Sequence, residues 1–307
     1  MPKLRIVLFG RLQCEIAGVG VVNVDAFKAQ ELLSYLALNR SRLHHRDALS
    51  TLLWGDRSEA QAKKGLRQTL WLLQSALLNA SNGATKEIFV IDGDWIGFNP
   101  QADVEVDAER LERVYHRFHP ASPQSLSRDD VVEICDVSHL YTNALLEGWY
   151  QEWCIHERER FEFMYLSLLD KLLGYYEMAG DYEGGINCGI QILRCDRARE
   201  STHRRLMRLH YVAGHRTRAI NQYAACVAAL KEELGVEPSK STQRLHRQIC
   251  DDQLNGSVPP LEPLLAQLTT EPHPPSSDPL NELLQIRRLV DILQQQVDFI
   301  IASLQHT

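Results

Sequence analysis

The stretch that most constrains the fold is residues 48–78, ALSTLLWGDRSEAQAKKGLRQTLWLLQSALL. Two segments with helical apolar periodicity are separated in it by a short polar break, GDRS. In the second segment Lys64, Arg67 and Trp71 fall on the face opposite a stripe of leucines. The leucines of this stripe are Leu66, Leu70, Leu73 and Leu77. The pattern predicts two packed helices, the second of which turns a basic face to solvent.

The segments on either side predict a winged helix-turn-helix. Before it, LRIVLFG, QCEIAG and VVNVD read as a small antiparallel sheet. Three helices are predicted over 27–38, 46–54 and 59–78. After them, EIFVIDGDWIGFNP (87–100) contains two short apolar strands that flank the turn Asp92-Gly93-Asp94. Sheet, three helices and hairpin is the element order of a winged helix preceded by a sheet, with the hairpin as the wing.

From Asp103 onward the pattern is helical and contains a repeat. A long amphipathic helix is predicted over 156–180. Ala179-Gly180-Asp181 recurs as Ala213-Gly214-His215, 34 positions later. That is the tetratricopeptide period, with a glycine at the turn inside each helix pair. ELGVEPS (233–239) ends the second pair.

The last fifty residues have a different character. Residues 255–279 hold seven of the twelve prolines and predict a linker. Residues 280–307 predict a coiled-coil helix that favours a homodimer, although packing onto the repeats or onto another protein is left open. Its seam, the predicted oligomerisation surface, consists of Leu283, Ile286, Val290, Leu293, Val297, Ile300 and Leu304.

The predicted fold class is therefore mainly α with a small β portion. The predicted organisation is a winged helix-turn-helix over 1–102, a tetratricopeptide-like helical part over 103–254, the linker over 255–279 and the coiled coil over 280–307.

Charge places any DNA-binding surface in the N-terminal third. The chain carries a net charge of −7. Residues 1–98 contain twelve Lys and Arg against nine Asp and Glu, a net charge of +3, which leaves −10 for the remainder. Seven irregularly spaced cysteines argue against a secreted disulfide framework. No apolar run is long enough to span a bilayer, and the interrupted N-terminus does not resemble a signal peptide. These features predict a cytoplasmic protein with no membrane partner.

The candidate DNA contacts combine cations that reach phosphate or guanine with amides that pair with adenine. Trp71 stacks at the DNA or packs on a protein partner, and the sequence does not separate these two roles. Arg42, with Arg40 beside it, and Lys86 at the start of the wing are candidates for phosphate contacts, with plain solvation as the alternative. The full set is Lys63, Lys64, Arg67, Gln68, Trp71, Gln74, Arg42 and Lys86.

No residue pattern indicates a metal, a cofactor or a catalytic centre. Cys188 and Cys195, like His203 and His210, lie seven residues apart, whereas helical metal ligands usually lie closer. Thiols buried in the repeat core are the better interpretation. His44 and His45 form a pair at a helix start, for which a surface position is expected rather than a role in sensing pH. We expect no cofactor, no metal and no enzymatic activity.

Several segments together resemble the Streptomyces antibiotic regulatory protein family. KAQELLSYLALNRSRLHHRDALSTLLWGD and LRQTLWLLQSAL are similar to its winged-helix half. LYTNALLEGWYQEWCIHERERF and the stretch ending in ELGVEPS are similar to its bacterial transcriptional activator domain, a tetratricopeptide-like module. The resemblance implies an activator that binds double-stranded promoter DNA and recruits RNA polymerase. No GxxxxGK[ST] phosphate loop is present, so the ATPase module of larger relatives is not expected.

Two alternatives use the same fold. In one, the repeats bind protein and the winged helix has lost its affinity for DNA, which the acidic total charge and Trp71-Leu72 motivate. In the other, the groove of the repeats binds a peptide or a small-molecule effector.

Overall fold

The computed structural model describes residues 4–80 and 88–254. The predicted linker, the coiled-coil seam from Leu283 to Leu304, and Lys86 lie outside the described residues. The described strands are β1 (Leu4–Val7), β2 (Gln13–Ile16), β3 (Gly20–Val21), β4 (His44–His45), β5 (Phe89–Asp92), β6 (Trp95–Phe98) and β7 (Val104–Val106). The described α-helices are α1 (Phe27–Leu38), α2 (Arg46–Trp54), α3 (Glu59–Ala80), α4 (Asp107–Phe118), α5 (Arg128–Ser138), α6 (Glu152–Ala179), α7 (Tyr182–Cys195), α8 (Glu200–Val212), α9 (Arg216–Leu234) and α10 (Lys240–Cys250).

The N-terminal sheet has the strand order β3-β2-β1-β7. β1 and β2 pair antiparallel, with Leu4 opposite Ile16. Along β1, Leu4 and Ile6 are fully buried, whereas Arg5 between them is exposed and lies 3.7 Å from Glu15. This alternation fixes one face of the sheet on the core.

β7 corrects the expectation that the chain becomes helical from Asp103. Val104–Val106 pairs parallel with β1, with Ile6 opposite Val106. Three residues are too few to show a strand period, but two β-branched side chains suit a half-buried strand at the free edge of β1. The helical pattern therefore starts at Asp107.

The predicted three-helix core and wing are present. The leucine stripe of α3 is buried, since Leu66, Leu70, Leu73 and Leu77 are at most 5% exposed. β5 and β6 form the predicted hairpin, and Asp92 pairs with Trp95 across the turn. β4, which the sequence pattern does not predict, adds a third strand in the order β4-β6-β5.

The helical part contains the predicted pairs. α6 packs on α7, and α8 packs on α9. Gly180, at the end of α6, has φ +72°, and Gly214, between α8 and α9, has φ +77°. Both glycines adopt the left-handed conformation that side-chain-bearing residues avoid, which explains why they recur at the same place in each pair. Gly235 ends α9 in the same way inside ELGVEPS, and α10 packs on α8 and α9.

The sheet shares one hydrophobic core with α4 to α7, whereas buried residues of α8, α9 and α10 form a second cluster. Asp107 joins the sheet to the helical part. The carboxylate of Asp107 accepts hydrogen bonds from the backbone N–H groups of Leu8 and Phe9 at 2.9–3.0 Å and of Ala108 at 2.7 Å. Asp107 is 5% exposed, and burial raises the pKa of its carboxyl while these amide hydrogen bonds oppose that shift. One side chain thus ties the end of β1 to the start of α4.

We predict that Asp107→Asn destabilises the protein by about 2–4 kcal/mol. Both carboxylate oxygens accept N–H groups, so an amide NH2 in place of either oxygen would face a donor and leave it unpaired. Urea unfolding measures the change, and Asp103→Asn, at an exposed carboxylate four residues earlier, is the matched control. Equal stability of the two variants would contradict this role for Asp107.

Candidate nucleic-acid interface

The outward face of α3 carries most of the predicted DNA contacts. Lys64, Arg67 and Gln68 are exposed, and the indole of Trp71 is 64% exposed. Gln74, one turn further along, is half-buried. Because the leucine stripe holds the opposite side of α3 in the core, these side chains are presented together on one face.

Gly65 sets how closely α3 packs on α2. A Cβ atom at this position would lie 3.0 Å from Cε2 of Trp54, the buried last residue of α2. The glycine therefore lets the backbone of α3 lie against the indole ring. A larger residue would push the two helices apart or displace Trp54.

Lys63 has a different environment from the rest of the predicted contacts. Its Nζ lies 2.7 Å from Oε1 of Glu59 and 2.9 Å from Oδ1 of Asp47 on α2. The hydrogen bonds that Lys63 donates to Glu59 and then to Asp47 raise the pKa of Lys63, and its ammonium lowers the pKa of Asp47. Lys63 therefore bridges α2 and α3, and two carboxylates neutralise the charge of this predicted DNA contact.

The two arginines before α2 also have different environments. Arg42 is exposed, and its guanidinium lies 3.4 Å from Oδ1 of Asn39. Arg40 instead donates to the carbonyl of Val104 at 2.7 Å and pairs with Glu109 at 2.9 Å. The expectation of a phosphate contact at Arg40 is wrong, because its side chain is committed to the junction with β7 and α4.

The wing carries residues that the candidate set did not include. Trp95 is 48% exposed, and its ring lies 5.3 Å from that of His45. Arg46 holds the wing turn, with its backbone N–H donating to Asp94 at 2.8 Å and its Nε donating to Gly93 at 3.1 Å. Alternation in WIGF would have found Trp95, because it precedes the fully buried Ile96. The tip itself is acidic, since Asp92 and Asp94 are both exposed.

His44 lies behind the wing rather than on the surface expected for it. It is 7% exposed, its Nε2 lies 3.2 Å from the carbonyl oxygen of Asn39, and its ring meets Tyr35 edge-on at 5.3 Å. Burial lowers the pKa of His44 below its ordinary value. The neutral ring is therefore the form that the folded structure favours.

The cysteine and histidine pairs of the repeats do not form a site. Cys188 is buried as expected, but Cys195 is exposed. His203 is buried and bonded through both ring nitrogens, to the carbonyl of Arg197 at 2.9 Å and to Gln222 at 2.7 Å. Within residues 4–80 and 88–254, no group of three or more His, Cys, Asp or Glu side chains is placed to hold a metal ion.

Comparison with known proteins identifies the helical part. Residues 106–250 match the family model of the bacterial transcriptional activator domain. The helical part of this chain is thus a bacterial transcriptional activator domain. The activator domain begins at the last residue of β7 and ends with α10, so it covers the whole described helical part.

The relatives agree with this assignment. The transcriptional regulatory protein MoaR1 of Mycobacterium bovis (strain BCG / Pasteur 1173P2) and of Mycobacterium tuberculosis (strain ATCC 25618 / H37Rv) is 27% identical over 252 residues, which cover 75% of this chain and 76% of MoaR1. The structure of Mycobacterium tuberculosis EmbR in complex with a low-affinity phosphopeptide has a similar fold, with a TM-score of 0.64 at 18% identity. That match covers 82% of this chain and 66% of the EmbR chain. The resemblance found in the sequence and the predicted fold class are thus confirmed.

In the part of the chain that the structure describes, no helix is long and apolar enough to cross a membrane.

We predict that acidification destabilises the regulator partly through His44. The folded state lowers the pKa of this residue below the ordinary value of 6.5, so protonation favours unfolding. The contribution of His44 is complete above pH 6.5 and is lost as the pH falls from there through the lower pKa of the folded state. Urea unfolding at pH 7.5 and pH 5.5 should show a smaller loss in His44→Gln than in the wild type. An unchanged difference between the two pH values would assign the acid sensitivity to other groups.

Proposed function

We propose that this regulator activates transcription by binding promoter DNA sequence-specifically through α3. The observation that supports the proposal best is the distribution of cations that are not ion-paired. Within residues 4–80 and 88–98, five such cations lie on α2, on α3 or in the loops beside α2, where a helix-turn-helix approaches DNA. They are Arg42, Arg46, Arg57, Lys64 and Arg67.

Most other cations of this region are neutralised inside the protein. Arg5, Lys28, Arg40 and Lys63 each pair with a carboxylate. Arg42, Arg57, Lys64 and Arg67 are instead exposed, and Arg46 is half-buried with its Nε donating to the carbonyl of Gly93. Unpaired, exposed cations are the ones that release counterions when phosphates bind.

Within this surface we assign base reading to Arg67 and Gln68 and phosphate contact to Lys64, Arg42 and Arg46. Arg67 and Gln68 are adjacent on the exposed face, and their side chains can form bidentate hydrogen bonds with guanine and adenine. Trp71 follows on the same face and supplies an apolar contact beside them, with Gln74 at its edge. Lys63 acts indirectly in this arrangement, because it fixes α3 against α2. We also retain the phosphate contact that the sequence predicts for Lys86.

The wing contributes through its side rather than its tip. Asp92 and Asp94 would repel phosphates, whereas Trp95 and Arg46 offer an aromatic ring and a cation beside the turn. We therefore propose that the wing contacts the DNA through Trp95.

The partners follow from the same proposal. The activator domain contacts RNA polymerase, and the predicted coiled coil over 280–307 makes the protein a homodimer that places two winged helices on adjacent sites. The protein acts in the cytoplasm, where promoter DNA is accessible. A peptide or small-molecule effector in the repeat groove stays a prediction.

We predict that removing the two free cations of α3 abolishes sequence-specific binding. The test is the affinity of the full chain for a DNA duplex that it selects from a random pool. Arg67→Ala should cost about 1–3 kcal/mol and relax the preference at one base pair, whereas Lys64→Ala should weaken binding to all sequences alike. The double variant should also reduce the salt dependence of binding by about one unit of slope for each phosphate that is no longer neutralised.

A matched pair of substitutions controls for the loss of charge. Arg128→Ala together with Arg244→Ala removes two exposed cations from α5 and α10 instead of α3. This pair should leave both the affinity and the preferred sequence unchanged. Equal losses in the α3 pair and the control pair would reject α3 as the reading helix and favour an adaptor without specific DNA binding.

We predict that truncation after residue 278 converts a dimer into a monomer. A lone helix with one apolar seam is marginal in water, so the seam needs a partner. Sedimentation equilibrium at micromolar concentration gives the mass of the full chain and of the truncated chain. A monomeric full chain, or the same oligomeric mass in both, would reject self-pairing.

A further inference from the structure

A chain of polar contacts runs from the activator domain to α3, and it starts at a buried carboxylate. Glu31 on α1 is 1% exposed. Its Oε1 accepts the indole N–H of Trp153 on α6 at 3.2 Å, and its Oε2 accepts Nζ of Lys28 at 2.8 Å. A buried carboxylate is costly unless it is paired and hydrogen-bonded, so its two partners account for its place here.

Lys28 carries the contact on to α2. The same Nζ donates to the carbonyl oxygen of Leu53 at 2.5 Å, in the last turn of α2. Carbonyls at the end of a helix lack partners within the helix and carry its partial negative charge, which a cation neutralises. Nζ also lies 5.5 Å from the ring centroid of Trp54. Lys28 thus holds both the end of α2 and the ring that follows it.

Trp54 completes the connection to α3. Its ring is 5% exposed and lies against Gly65, as the 3.0 Å distance to an added Cβ shows. A change in the position of Trp54 therefore changes the packing surface of α3 next to Lys64 and Arg67.

We propose that Lys28 and Glu31 are positioning residues that transmit the position of α6 to α3. The chain of contacts is Trp153, Glu31, Lys28, Trp54 and Gly65. This inference rests on the proposed function in one respect, namely that α3 binds DNA sequence-specifically. Anything that moves the N-terminal end of α6, such as a partner bound to the activator domain, would then alter how α3 meets its base pairs.

The test separates positioning from plain stabilisation. Trp153→Phe removes the indole N–H but keeps an aromatic ring, and Lys28→Met removes the ammonium but keeps a long chain. For each variant we compare binding to the selected duplex with binding to the same duplex carrying one changed base pair. A structural defect lowers the active fraction and weakens binding to both duplexes alike. Positioning lowers their affinity ratio, and we expect a fall of about threefold to tenfold.

Amide hydrogen exchange of the full chain without DNA gives the second readout. Both variants should speed exchange in α2 and α3 while leaving α8 and α9 unchanged. Trp149→Phe is the control, because it makes the same substitution in a neighbouring indole that donates no hydrogen bond to any described residue. If Lys28→Met does not fold, Glu31→Gln takes its place, since it keeps an acceptor for Trp153 and removes the charge that pairs with Lys28.

Two results would overturn the proposal. One is amide exchange in α3 at the wild-type rate in both Trp153→Phe and Lys28→Met. The other is equally faster exchange in the control variant Trp149→Phe. A wild-type chain that binds no duplex would refute the proposed function instead, and the exchange measurement would still decide whether the contacts reach α3.

Discussion

The carboxylate of Asp107 is the interaction on which the arrangement of the whole described chain depends. It accepts the N–H groups of Leu8 and Phe9, which come almost a hundred residues earlier, and the N–H of Ala108 in the first turn of α4. With β1 held there, the backbone after it pairs with the segment before α6, where Leu146 donates to the carbonyl of Leu8 at 2.8 Å. The ring of Phe9 is thereby placed between Tyr141 and Phe161, at 4.8 and 5.8 Å. The N-terminal sheet is in effect the first layer of the activator domain as well as the base of the winged helix.

The same junction also determines which cations are paired within the protein and which are not. Arg40 leaves the surface near α2 to pair with Glu109, and Arg158 donates to the carbonyls of Leu145, Leu146 and Trp149. Arg158 thereby satisfies carbonyl groups of three buried residues, and Arg40 joins the loop before α2 to α4. The cations of the winged helix that form no ion pair with a described carboxylate are therefore informative, because their charge is not neutralised within the described residues.

The sequence predicts those parts of the fold that local pattern determines. The leucine stripe of α3, the bounds of α2 and the recurring Gly180 and Gly214 all depend on spacing within a few turns, and the structure agrees with each. β4 and β7 were missed because strands of two and three residues show no period and form only where a distant strand offers an edge.

Within the candidate site, the exposed face of α3 follows from helical geometry, and so could be predicted. The neutralisation of Lys63 by Asp47 could not, since it requires the relative placement of two helices. The same holds for Arg40 and Glu109, which are 69 residues apart. Residue spacing predicts which side chains share a surface. It does not predict which of those side chains are already paired with other residues of the protein.

The acidic wing tip has a consequence for the search along a chromosome. Two exposed aspartates at the tip of the wing, in a protein of net charge −7, weaken attraction to any arbitrary phosphate backbone. For a chain that reads DNA as proposed, residence on random sequence is then brief, and only a site that engages Arg67 and Gln68 holds the protein long enough to act. Selectivity in such a protein comes as much from leaving wrong sites quickly as from binding the right one tightly.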